Sequence, residues 1–362
     1  MVYIQSGASN RSYSTLGCGR RDSPTFIDDS FTPVSGIGIA IPYPTFQRTF
    51  FLDPTPPQSP VGPKFKCPSF APSSTIQGQY NLITFDQLPK WSQDNPHIQS
   101  GYRPISHSTS TCLHSCFQIH NETFNIWSHF IPCIFFIILE GTIIYYLNTR
   151  YPHATTKDHI IFAFFISCAT ICLGISTIFH SVISHSRKTR DLWLKLDYAG
   201  IIFLINGCFI SAVYMSFFCH QILQYAYWGM ILSMSSTALV FLLLPAFQGH
   251  QWRSFRVTAF CATGVSVLIP FVHAIAQFGW KKAMNQSGMP YYFAEALLLL
   301  IGVICFAKRW PESCIPGHFD LLGNSHQIFH LLVVFALVLH LLGLLKAFDY
   351  NYGRGDCRGF GL

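Results

Sequence analysis

Seven apolar blocks, at 126–147, 160–181, 197–218, 225–245, 256–277, 291–308 and 327–347, constrain this chain more than any other feature. Each is close to the ~20 residues that cross a hydrocarbon core of about 30 Å as a helix. Lipid offers backbone N–H and C=O groups no partners, so each block must satisfy its own as an α-helix. Only 11% of the residues are charged, against roughly 25% in a soluble domain. The pattern predicts an all-α membrane protein, a seven-transmembrane helix bundle, integral and multi-pass. The net charge of +7 does not gather into one stripe, so it is read as loop lysines and arginines rather than a nucleic-acid surface.

The rest of the chain divides around those blocks. Residues 1–84 hold eleven of the 21 prolines, with abundant Ser, Thr and Gly, and read as a disordered tail without a signal-peptide core. Residues 85–125 form a membrane-proximal segment, with a short interfacial helix expected over Cys112 to Asn125. The seven-helix domain occupies 126–348, and 349–362 is a short extracytoplasmic tail. Orientation follows from loop charge. With a cytoplasmic N-terminus the inner loops hold Arg187, Lys188, Arg190, Lys195, Arg253, Arg256, Lys308 and Arg309, eight against four outside. Adding the tails narrows this to ten against seven. The 13 cysteines include no CxxC pair and read as small apolar residues. A Cys219–Cys357 disulfide is available if both face an oxidising compartment.

Polar residues collect at one depth. The second span ends at His180. The third begins at Asp197. The seventh opens with His326 and His330. Residues four apart share a helix face, so His326 and His330 can grip one ion and His180 can add a third nitrogen. Three protein ligands with an open position is the pattern of catalytic zinc. Asp197 can bind directly or hold a water, and Ser176, one turn before His180, can reach that water or a substrate carbonyl. Ionisable residues within spans are costly and usually functional. Glu140, Asn206 and Glu295 are weaker candidates for a polar cavity. Pro270 and His273 read as structural, and His120, His129, His185 and His340 as interfacial or packing residues.

Other seven-helix classes fit poorly. A retinal protein needs a lysine midway along its last span, and Lys346 lies at that span's end. The Asp-Arg-Tyr and Asn-Pro-x-x-Tyr signatures of G-protein-coupled receptors are missing.

The stretches HNETFNIWSH (120–129), Ser176 with His180, KLDYAGI (195–201) and FDLLGNSHQIFHLLVVFALVLH (319–340) resemble the progestin and adipoQ receptor family, related to haemolysin III. The likeness is to its adiponectin-receptor and fungal zinc-homeostasis branch, and runs from FDQLPKW (85–91) to about Lys346. That resemblance implies a cytoplasmic N-terminus, Zn2+ held by His180, His326 and His330, and Asp197 touching the ion through water. It also implies a lipid in the helix-bundle cavity and, for some members, ceramidase-like hydrolysis. Two functions stay open. One is a zinc-dependent intramembrane hydrolase of ceramide or another acyl-amide, with Asp197 as general base and Ser176 at the oxyanion. The other is a receptor or regulator of zinc and lipid homeostasis, in plasma membrane or endomembrane, with structural zinc and an unidentified protein ligand.

Overall fold

The computed structural model describes residues 81–247 and 250–353. The tail expected over 1–84 lies outside them except for its last four residues. A short helix α1 (Thr109–Ser115) precedes nine longer or satellite helices: α2 (Thr123–Arg150), α3 (Thr156–Val182), α4 (Arg187–Ser216), α5 (Gln221–Leu243), α6 (Arg253–Val265), α7 (Leu268–Phe278), α8 (Trp280–Ser287), α9 (Met289–Lys308) and α10 (Ser325–Tyr352). Among the described residues seven spans are long and apolar enough to cross a membrane, with α6 and α7 forming one of them. The chain is an integral multi-pass membrane protein.

Several boundaries differ from the sequence reading for identifiable reasons. The helix expected over Cys112–Asn125 lies earlier, at Thr109–Ser115, where the Ser108 hydroxyl caps it by accepting from the Thr111 N–H. Helix α4 starts ten residues before its apolar block, because Ser186 caps a polar turn at Arg187. Hydropathy detects the lipid-facing part of a helix and misses such an extension. The last helix runs through 349–352, residues assigned from sequence to the tail. The fifth span breaks at Ser266–Val267, just before Pro270. Proline lacks an N–H, so it sits in the first turn of α7, where no intrahelical partner is needed. His273 on α7 pairs with the Tyr227 hydroxyl of α5 at 2.7 Å.

Helix α3 packs between α2 and α4, and α10 lies against α9 and α2. Fully buried Phe136, Phe162, Phe165 and Phe348 fill the space between α2, α3 and α10. In lipid the drive for helix association is close packing rather than removal of apolar surface from water, so small residues set the contacts. At Gly207 on α4 an added Cβ would lie 2.7 Å from the Cβ of Cys168 on α3. Gly288, between α8 and α9, has φ +73°, and an added Cβ would collide with the Gly343 carbonyl of α10. Those close approaches fix α4 on α3 and α10 on α9. Cys112, Cys116, Cys133, Cys168, Cys172 and Cys305 are free and buried, as small apolar residues would be. Cys219, between α4 and α5, is disulfide-bonded, and Cys357 lies outside the described residues.

Candidate metal centre

Helix α10 begins at a place fixed by hydrogen bonds. Asn324 caps it, accepting from the Gln327 N–H at 3.2 Å. The fully buried Glu312 carboxylate accepts from the Ser325 N–H at 2.7 Å and from Asn95 Nδ2 at 3.1 Å. Asp320 accepts from the Gln99 N–H at 2.8 Å and the Ser100 hydroxyl at 2.6 Å. The segment before the first span is thus fastened to the loop before the last. The register of His326 and His330 follows, since both lie in the first two turns of the helix so anchored.

His180, near the end of α3, meets them there. One ring nitrogen of each of His180, His326 and His330 lies within 4.8 Å of the other two. The His180 and His326 Nε2 atoms are 3.2 Å apart. Two nitrogens bound about 2.0–2.1 Å from a tetrahedral ion stand roughly 3.3 Å apart. His180 and His330 are buried at 2% exposure.

The partners of the other nitrogens decide which way the lone pairs face. His180 Nδ1 lies 2.8 Å from the Glu122 carboxylate, which can only accept, so Nδ1 carries the proton and Nε2 is bare. His330 Nδ1 lies 3.3 Å from the Ser128 hydroxyl, which itself donates to the Asn125 carbonyl. That leaves His330 Nε2 bare too. His326 Nδ1 is buried without a hydrogen-bond partner. A buried set of inward lone pairs with an orphaned outer nitrogen fits a cation better than a self-satisfied network. The three imidazoles form a group able to hold a metal ion.

The role of Glu122 is not legible in the sequence, although it lies inside the HNETFNIWSH stretch. Burial alone would raise its carboxyl, but the bonds from His180 and from Asn125 Nδ2 at 2.7 Å outweigh burial and hold it well below the usual range. The buried His120 supports it. His120 Nδ1 accepts from the Glu122 N–H at 3.0 Å, while Nε2 bonds the Ser115 carbonyl at 3.1 Å. Burial, then the nearby Arg103 charge, push this imidazole down to about 4. Glu122→Gln is expected to weaken metal binding by about 10–100-fold, measured by chelator competition. Unchanged affinity would show that His180 needs no such partner.

Two further residues brace the ligands. Arg103, at 5% exposure, donates to the His180 carbonyl at 2.6 Å, the Ser181 carbonyl at 2.9 Å and the Ser115 hydroxyl at 2.7 Å. It ties α1 to the end of α3, where the last carbonyls lack intrahelical donors. His129, expected to be a packing or interfacial residue, is buried with its ring stacked on His330 at 3.8 Å and 11°.

Asp197 is half-buried on α4 and does not join the close group of three nitrogens. Its carboxylate faces the buried Ser176 hydroxyl of α3 and lies in the field of His180. The weaker candidates do not surround this centre. Asn206 accepts from the Ser235 hydroxyl at 2.8 Å, and Glu295 pairs with His340 at 2.9 Å.

Comparison with known proteins shows the family. The family profile described as haemolysin-III related matches residues 117–341. The adiponectin receptor protein of Drosophila melanogaster is 34% identical over 281 residues, 78% of this chain and 63% of that protein. The ADIPOR-like receptor IZH2 of Saccharomyces cerevisiae is 34% identical over 272 residues, 74% of this chain and 84% of that protein. Human progestin and adipoQ receptor family member 3 is 32% identical over 277 residues, covering 75% and 88%. The match thus spans less than two thirds of the fly protein's length.

Proposed function

The chain belongs to the haemolysin-III-related, progestin and adipoQ receptor family, and from that premise we propose that it is a zinc-dependent intramembrane hydrolase of a lipid amide, of ceramide type. The observation that carries this reading is the pairing of the triad with groups it does not need for holding an ion. Asp197 and Ser176 face one another beside His180 without joining the three imidazoles. A purely structural site gains nothing from a neighbouring base and hydroxyl.

His180, His326 and His330 would hold the ion. Bound zinc supplies a Lewis acid that polarises a carbonyl and lowers the pKa of water to about 7. Asp197 takes the proton from the attacking water and passes it to the departing amine. Ser176 donates a hydrogen bond where negative charge develops on the carbonyl oxygen. Glu122 and Ser128 keep the His180 and His330 protons on Nδ1 throughout. Acyl chains lie between the helices, which suits a site near one end of an apolar bundle. A cytoplasmic N-terminus places the triad at the inner boundary. The loop charges support this orientation, as does the disulfide at Cys219 on the opposite end, since disulfides persist in oxidising compartments.

The test is hydrolysis of a ceramide by the purified full-length protein. Free fatty acid release is expected, abolished by stripping the metal with a chelator and restored by Zn2+. Turnover unaffected by stripping would separate the reaction from the triad. Bound metal with no turnover on any lipid amide favours a receptor with structural zinc; the fly and yeast relatives are named as receptors.

A further inference from the structure

We propose that Cys208, Glu295 and His340 form a second metal-ion site, of zinc type, that ties α4, α9 and α10 together deeper in the bundle. One ligand atom of each lies within 4.8 Å of the other two. The site is independent of the triad. His340 follows His330 by ten residues on α10, and Cys208 follows Asp197 by eleven on α4, so it sits about 15 Å further along both helices.

The hydrogen bonds around His340 point to a cation. The fully buried Ser211 hydroxyl lies 2.8 Å from the Gly207 carbonyl and 3.0 Å from the Cys208 carbonyl, and donates its single proton there. With that proton on the backbone, the Ser211 oxygen accepts from His340 Nε2–H at 2.9 Å. The bare Nδ1 of a neutral His340 then faces the Glu295 carboxylate at 2.9 Å. Two acceptors at that separation need a positive link, either a proton or a metal ion. Cys208 selects between them. A thiol contributes nothing to a proton shared by imidazole and carboxylate, whereas a thiolate is a preferred zinc ligand beside nitrogen and oxygen. A second observation concerns Tyr292. It is 5% exposed, its hydroxyl is buried with no hydrogen-bond partner, and its phenol lies in the field of both Glu295 and Cys208.

The position is also prepared. The His340 ring is held between Phe165 at 4.6 Å and Tyr292 at 4.8 Å, so it cannot swing away. Cys208 as thiolate and Glu295 as carboxylate offset a dication, which leaves no net charge in an apolar layer where a lone charge is costly. Tetrahedral ligation requires the 2.9 Å Nδ1–carboxylate gap to widen by roughly half an ångström, within reach of a flexible glutamate. A nucleophilic relay of Ser211, His340 and Glu295 is set aside, because Ser211 is fully buried and its hydroxyl is committed to the α4 backbone.

Metal counting on the purified full-length protein tests the site. Zn2+-loaded wild type is expected to carry two ions per chain. Cys208→Ser and the double variant His326→Ala/His330→Ala should each carry one. Cobalt distinguishes the sites without relying on a variant. Bound Co2+ gives near-ultraviolet charge-transfer absorption with a thiolate ligand and none with imidazoles alone. That absorption should appear in loaded wild type, persist in the double histidine variant and vanish in Cys208→Ser. One ion per wild-type chain, no thiolate absorption in the wild type, or absorption that survives Cys208→Ser each overturns the proposal. If Cys208→Ser fails to fold, the wild-type spectrum and the double variant's count still decide.

Discussion

Replacing Asp197 by Asn is expected to leave the metal in place and to cut lipid-amide turnover by about 10²–10⁴-fold, the usual contribution of a positioned general base. The substitution preserves volume and can still accept from Ser176, so the contact between α3 and α4 survives. It removes the one capacity that matters for chemistry, uptake of a proton from water. The metal should stay because Asp197 lies outside the group of three ring nitrogens, and those are placed by α3 and α10. Metal content and initial rate, measured on the same preparation, separate the possible roles. Loss of metal along with turnover would make Asp197 a ligand. A variant that turns over as fast as wild type would move the base elsewhere.

What the sequence revealed was depth. The apolar blocks gave the number of spans, and the order in which chains enter and leave the membrane put His180, Asp197, His326 and His330 at one level. It did not reveal rotation about each helix axis. His330 and His340 are ten residues apart, about 1000° at 100° per residue, or some 80° short of three full turns. One turns toward α3 and α2, the other toward α4 and α9, and only packing at Gly207, Gly288 and Gly343 decides that. In the sequence His340 therefore reads as a packing residue and Glu295 as a loose lining residue, although they meet at 2.9 Å. Glu122 escaped for a different reason. An acidic residue just before an apolar run looks like a solvated helix start, and nothing local says that its partner is 58 residues away. Its signal is indirect: a ligating histidine almost always has a partner for its other nitrogen. Arg103 belongs to the same class. Its three acceptors come from α1 and α3, so its burial is a tertiary fact.

His326→Ala and His330→Ala should both lose metal affinity by more than about 100-fold, exceeding the effect of removing an outer partner such as Glu122. They should not be equal. Each deletion leaves two imidazoles, but the surroundings differ. Outside the triad, the Phe306 ring lies 5.6 Å from His326 and offers no lone pair. Around His330 the stacked ring is His129, 3.8 Å away, with both nitrogens buried and without hydrogen-bond partners. Once the His330 ring is removed, His129 has space on the side facing the triad and a reason to enter it, because a buried unpaired nitrogen is costly. His330→Ala should therefore retain weak binding that His326→Ala lacks, and His129→Ala/His330→Ala should abolish the difference. Chelator competition on the three variants reads this directly. Equal affinities for His326→Ala and His330→Ala would confine His129 to packing. Wild-type affinity in either single variant would break the assignment of the triad itself.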